Sequence, residues 1–226
     1  MKTATKLAGF GSGRSAKRTD SLPLGGYVKR LFDVTGAITG LFFLSPIFIL
    51  VAILVKMSDG GSIFYSHRRM GHGGTAFGCL KFRTMVMNGD EVLKAYLDAN
   101  PHERSVWQEE RKLQTDPRVT KVGATLRKLS LDELPQLINI LRGEMSIVGP
   151  RPVVKDEIAM YGSAATHYFK SRPGLTGLWQ VSGRNDACYV QRVEMDRRYV
   201  ENWSLRTDVV IILKTIPAVC LSRGSY

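Results

Sequence analysis

The chain has 226 residues and a net charge of +12, from 32 Lys and Arg against 20 Asp and Glu. That length allows one large domain or two small ones, and the charge points to anionic partners: nucleic acid, phospholipid or nucleotides. Cys79, Cys188 and Cys220 are odd in number and widely spaced, which argues against a paired-Cys metal motif and leaves reduced packing thiols. No RNA- or DNA-binding signature accompanies the charge.

Residues 1–26 are rich in Gly, Ser, Lys and Arg without core-forming periodicity, which predicts a flexible basic tail. The tail is too long and irregular for a signal-peptide n-region. No small-residue cleavage site follows the apolar block beyond it, so that block is expected to be retained. The block, VTGAITGLFFLSPIFILVAILV from Val34 to Val55, has 22 residues and no charge. A straight helix of that length would be ~33 Å long, enough to span a bilayer. Pro46 lies near the middle, has no N–H for the carbonyl of Phe42, and predicts a break that the Ser45 hydroxyl can help to satisfy. Lys29 and Arg30 flank one end; Lys56, His67, Arg68 and Arg69 flank the other. A spanning helix carries its basic excess on one side only. A re-entrant segment that turns at Ser45-Pro46 and leaves on the side it entered fits both flanks.

SIFYSHRRM and AFGCLKFRTM, around GHGG, predict a β-hairpin. Gly71, Gly73 and Ala76 match the opening of a dinucleotide fingerprint, but no helical pattern follows, so that reading is rejected. Gly89 to Leu113 predicts two amphipathic helices parted near Asn100-Pro101, and TDPRVTKVG a turn. Leu131, Leu134, Leu137, Ile138 and Leu141 recur at helical spacing up to Gly143. Asp132 and Glu133 sit at the start of that pattern. Ser130 and Glu133 have capping-box spacing, yet Pro135 is awkward if Ser130 caps, and the helix can instead begin two residues later. In either register both acids lie near a helix N-terminus, where carboxylates stay ionised.

Two proline-rich stretches follow, VGPRP at Val148 to Pro152 and SRPGLTGLWQVSGRN at Ser171 to Asn185. Arg151 and Arg172 each precede a proline, which holds them in extended backbone and suits guanidinium forks to phosphate oxygens. With Lys81, Arg83 and Arg127 they predict an anion site. DVVIILKTIPAVCL, near the end, is too short to span and is either core or a helix lying at a membrane interface.

The Ser45-Pro46 break, KFRTM, SLDEL, GEMSIVGPRP and RPGLTGLWQVSGRN resemble the monotopic bacterial sugar transferases, the polyprenyl-phosphate hexose-1-phosphate transferases, from about Tyr27 to Tyr226. Within that family the SDGGS, VSGRND and IPAVCLSRGSY stretches look most like the galactosyl-phosphate transferases that initiate rhizobial exopolysaccharide. The resemblance implies transfer of a hexose-1-phosphate from a UDP-sugar to undecaprenyl phosphate with release of UMP. It implies catalytic roles for Asp132 and Glu133, Mg²⁺ held by that pair, and a covalent phospho-sugar on the aspartate. It further implies phosphate binding by Lys81, Arg83, Arg127, Arg151, Arg172 and Arg184. Pro135 departs from relatives with leucine there.

The expected fold is α+β and mainly helical, a monotopic membrane protein. The tail (1–26) leads into a re-entrant helix-break-helix (27–56) and then a cytosolic, membrane-associated catalytic domain (57–226). The expected site is the cytoplasmic face of the bacterial inner membrane, on anionic lipid, without nucleic acid; a homo-oligomer is compatible with this. UDP-galactose is the expected donor and UDP-glucose the alternative. A nucleotide-sugar glycosyltransferase with a D-x-D metal motif is excluded because no such motif occurs. The rival of another class is a basic membrane-bound nucleic-acid-binding or regulatory protein, which would not need the acid pair or both proline loops.

Overall fold

The computed structural model describes residues 22–110, 113, 115–182 and 188–220. Helix α1 runs from Gly26 to Asp59, and Gly60, left-handed at φ 74°, closes it by donating its N–H to the Lys56 carbonyl. The helix-break-helix expected at Ser45-Pro46 is one continuous helix. Its weak point is nonetheless where the sequence places it. Pro46 has no N–H for the Phe42 carbonyl, and the Ser45 hydroxyl donates to that oxygen instead at 2.8 Å.

Both ends of α1 pack on one and the same domain. Near the N-terminal end, Ala37 is fully buried with Phe77, Cys79, Leu137, Ile140 and Met145. Near the C-terminal end, Val51 and Val55 are buried with Phe82 and Leu126. Between these contacts Phe42 and Phe43 are each 72 % exposed. A water-soluble core helix does not leave its apolar middle uncovered, and only 11 % of the most apolar window of α1 is buried.

Polar contacts lock the N-terminal end. Lys29 Nζ lies 2.5 Å from Asp208 Oδ2, both fully desolvated, and Asp208 also accepts from the Tyr199 hydroxyl (2.7 Å) and Trp203 Nε1 (3.1 Å). Arg30 donates to the carbonyls of Ile140 (2.5 Å) and Leu141 (2.8 Å), and Asp33 accepts from Ser146 Oγ and the Ile147 N–H.

Strands β1 (Phe64–Met70) and β2 (Ala76–Phe82) form the expected antiparallel hairpin, with Tyr65 opposite Lys81 and His67 opposite Cys79. Helices α2 (Gly89–Ala99) and α3 (Pro101–Glu110) part at Asn100, as the sequence predicts. TDPRVTKVG is only half a turn. Thr120 caps a helix the sequence reading did not find, α4 (Lys121–Lys128), by accepting from the Gly123 N–H at 2.9 Å.

Helix α5 (Gln136–Arg142) stops at left-handed Gly143. A pair of short parallel strands brings the two proline-rich stretches together: β3 (Ser146–Val148) leads into the first and β4 (Gly174–Thr176) lies within the second. A Cβ on Gly174 would lie 2.1 Å from the backbone nitrogen of Gly149, so only glycine allows the two stretches to touch there. Between them lie α6 (Lys155–Tyr161) and α7 (Ala165–Lys170), and after them α8 (Leu178–Val181) and α9 (Tyr189–Glu201).

The terminal helix α10 (Leu205–Cys220) has one face in the core and one exposed. Asp208 and Ile211 are buried, whereas Val209, Val210, Leu213 and Ile216 are exposed.

Candidate active site

Asp132 and Glu133 lie on a short 3-10 turn, Leu131–Glu133, just ahead of α5, with Ser130 immediately before it. Leu131 and Leu134 pack into the cluster of Val51, Val55 and Phe82, so the leucines of the SLDEL motif face α1 while the acids between them face a cleft. Ser130 is the one non-glycine residue with positive φ (55°) among the described residues, a conformation costing ~1–3 kcal/mol. Its side chain caps nothing, and the Glu133 carboxylate binds Lys81 instead of reaching back. The capping box is therefore not formed. Pro135 occupies the N-cap position of α5 with φ −61°, so the helix begins late, as its sequence position requires.

Asn139, fully buried in α5, sets the register of this turn against the hairpin. Its Oδ1 accepts from the Leu80 N–H at 2.9 Å and its Nδ2 donates to the Gly78 carbonyl at 2.8 Å. The side-chain amide thus acts as a strand partner on the free edge of β2. Lys81, the next residue along, then lies with Nζ 2.7 Å from Glu133 Oε1 and 3.6 Å from Asp132 Oδ2.

Burial pushes the Asp132 carboxyl above the usual carboxylate range; the Lys81 ammonium opposes this and the Glu133 charge adds to it. Burial acts on Glu133 in the same sense, but Lys81 outweighs it and holds that carboxyl low. Lys81 itself loses solvation, yet its two carboxylate partners raise its pKa and keep it charged. One lysine therefore bridges two adjacent acids at the wall of a cleft of about 860 Å³.

Of the sequence-predicted basic residues, Lys81, Arg127 and Arg151 line this cleft with the acids. Arg127 donates to Thr84 Oγ1 at 2.9 Å, and Arg151 lies over the Trp179 ring at 5.8 Å. Arg83 also borders the cleft, but its fork is occupied: it pairs with both carboxylate oxygens of Asp59 and donates to the Ser62 carbonyl. Asp59 is held down at about 2, first by the hydrogen bonds from Arg83. Arg83 thus clamps the end of α1 to the hairpin. Arg172 lies away from the cleft, where its Nε donates to the Gly143 carbonyl at 2.7 Å. Arg184 lies outside the described residues.

The sequence reading did not assign Tyr65, His67 and Arg69 of β1, nor Arg118, all of which line the cleft. Their signal was available in part. Alternate residues of a strand share a face, and Tyr65, His67 and Arg69 are spaced by two.

Among the described residues no cluster of three His, Cys, Asp or Glu side chains could hold a metal ion. Two adjacent carboxylates do fit Mg²⁺, which keeps several waters and is completed by substrate phosphates rather than caged by protein alone.

A helix long and apolar enough to cross a membrane, beside a cleft that pairs acids with cations, points to an enzyme that handles a phosphorylated substrate next to an apolar phase. Residues 24–222 match the bacterial sugar transferase family, and the chain belongs to it; it is an enzyme of the undecaprenyl-phosphate hexose-1-phosphate transferase type. It is 61 % identical over 226 residues, the whole of both chains, to the exopolysaccharide production protein ExoY of Rhizobium meliloti strain 1021. It is 48 % identical over 200 residues to the undecaprenyl-phosphate galactose phosphotransferase of Salmonella typhimurium, covering 88 % of this chain and 42 % of that one. A UDP-glucose:undecaprenyl-phosphate glucose-1-phosphate transferase of Caulobacter vibrioides is 38 % identical over 210 residues, covering 88 % of this chain and 72 % of that one. The rival nucleic-acid reading has no support in this relationship.

Proposed function

We propose that this enzyme transfers galactose-1-phosphate from UDP-galactose to undecaprenyl phosphate, releasing UMP and starting an exopolysaccharide repeat unit. The observation that carries this reading is Asp132, a desolvated carboxylate paired with Glu133 and Lys81 in a cleft abutting the membrane helix. An Asp132 oxygen attacks the β-phosphorus of the donor. A carboxyl–phosphorus bond forms as the bond to the α-phosphate oxygen breaks, and UMP departs with that electron pair. An oxygen of undecaprenyl phosphate then attacks the same phosphorus and displaces the carboxylate, which is regenerated. Lys81, Arg127 and Arg151 neutralise phosphate charge in both halves. Mg²⁺, held by Asp132 and Glu133, would supply further charge neutralisation on the diphosphate. Glucose is the second reading, favoured by the Caulobacter relative.

A lipid phosphate stays at the bilayer interface, so the cleft must be held there. The attachment of both ends of α1 to one domain supports re-entrant insertion, with exposed Phe42 and Phe43 deepest and the catalytic domain on the cytoplasmic face. The exposed Val209, Val210, Leu213 and Ile216 face of α10 suits the lipid surface.

The test is UMP release from a panel of UDP-hexoses with undecaprenyl phosphate in nanodiscs. UDP-galactose should be the best donor. Without lipid, UMP should stop at one equivalent per active site, with hexose-phosphate found on Asp132 by acid-quenched mass spectrometry. Strict lipid dependence with no adduct would refute the covalent route. Cysteine labelling should place positions near residue 24 and residue 60 on the same face.

A further inference from the structure

Strand β1 presents Tyr65, His67 and Arg69 to the cleft. In the hairpin register His67 is the diagonal neighbour of Lys81, a Cβ separation of roughly 7–8 Å, and the Lys81 ammonium touches both catalytic-site carboxylates. His67 therefore lines the same cleft as Lys81 and the two acids. Arg69 Nη2 lies 3.1 Å from His67 Nδ1, and Arg69 Nη1 is itself held 3.6 Å from Glu157 Oε1. A guanidinium offers hydrogens and no acceptor. His67 Nδ1 must then be the acceptor, which leaves the ring neutral with its proton on Nε2. The Tyr65 ring stands beside it, centroids 6.1 Å apart, and is about half exposed.

Resting on the transferase reading above, we propose that Tyr65 and His67 form the donor-sugar subsite, where the Nε2–H of His67 donates to a hydroxyl of the hexose. The phosphates already have Lys81, Arg127 and Arg151 in the same cleft. A neutral, single, directional donor adds little to a diphosphate, but it distinguishes one ring hydroxyl from its neighbours, which a point charge cannot. Tyr65 supplies an aromatic wall for the C–H face of the ring. Arg69 acts through His67, as the group that fixes its tautomer.

The experiment is a cycle between enzyme and substrate: wild type, His67→Ala and His67→Gln, each with UDP-galactose and its 2-, 3-, 4- and 6-deoxy analogues, followed by UMP release. His67→Ala should lower kcat/KM for UDP-galactose by ~10-fold, the worth of one hydrogen bond. One deoxy analogue should lose a similar factor on wild type and lose nothing further on His67→Ala. His67→Gln, whose amide can donate from the same place, should retain part of the discrimination; a merely structural role for His67 would not produce that pattern. If every analogue loses the same factor on His67→Ala as on wild type, the subsite assignment is overturned while the transferase reading stands. If wild type releases UMP from no UDP-hexose, both fall.

Discussion

Replacing the fully buried Asn139 by leucine keeps the heavy-atom count and branching of the side chain while deleting its amide. The Leu80 N–H and the Gly78 carbonyl, which this amide serves at 2.9 and 2.8 Å, then face an apolar side chain. An unsatisfied buried group costs ~1–3 kcal/mol, so two of them cost about 2–6 kcal/mol. The third bond, from Nδ2 to Glu144 Oε2, adds less because that carboxylate is only half-buried and can turn to water. Hydrogen exchange in nanodiscs reads the loss residue by residue. The Leu80 amide should exchange ~10²-fold faster in Asn139→Leu, the equivalent of about 3 kcal/mol in local opening. Because Lys81 follows directly and bridges the two acids, kcat should fall as well, although Asn139 is fully buried and does not line the cleft. Wild-type protection at Leu80 together with wild-type kcat would refute the view that this amide holds the hairpin in register with the acids.

Asp132→Asn should reduce UMP release by orders of magnitude while leaving the melting temperature level or slightly higher, since burial disfavours the ionised carboxylate in the folded state; equal losses of activity and stability would mark a structural role instead. Arg151→Lys should cut kcat/KM by ~10–100-fold with normal stability, because the planar fork is lost while the charge stays. Arg83→Lys should do the converse, lowering the melting temperature with little change in KM for the donor, since its fork is spent on Asp59. Asp196, 3 % exposed, accepts from the Tyr161 hydroxyl at 2.8 Å, yet burial raises its carboxyl to about 7. The folded state therefore binds a proton that the unfolded chain releases near pH 4, and stability should fall as pH rises from 4 to 7, by at most ~4 kcal/mol from this group. Asp196→Asn should flatten that slope in pH-dependent melting; an unchanged slope would show that Asp196 is not its source.

The acids were legible because Asp132 and Glu133 interrupt an apolar run, and burying two charges between leucines requires a reason. The weak point of α1 was legible because proline deletes a known hydrogen bond; that Ser45 restores one to Phe42 follows from the same arithmetic. Helix α4 was not legible. Its first turn, Lys-Val-Gly, reads as loop, and only the Thr120 cap marks it. The fates of Arg83 and Arg172 were equally hidden, because an arginine that meets phosphate and one that meets Asp59 or a Gly143 carbonyl look alike in one dimension. Which cation reaches the cleft is decided by contacts 24 and 29 residues away in the chain.

The attachment of α1 at both ends has a practical corollary for anyone preparing this enzyme. In proteins anchored by a peripheral helix, the anchor can be trimmed and the globular part expressed alone. Here Ala37, Val51 and Val55 are interior residues of the globular part itself, and Lys29 neutralises Asp208 inside it. Cutting the chain before Ile63 would open two apolar clefts and leave the buried Asp208 carboxylate without its cation; breaking such a buried pair alone costs ~3–5 kcal/mol of the ~5–15 kcal/mol that holds an ordinary domain together. The helix is thus part of the fold of the catalytic half and not a separable anchor. Solubilising variants should be sought by recolouring Phe42, Phe43, Ile49 and Leu50 toward polar residues while leaving the helix in place.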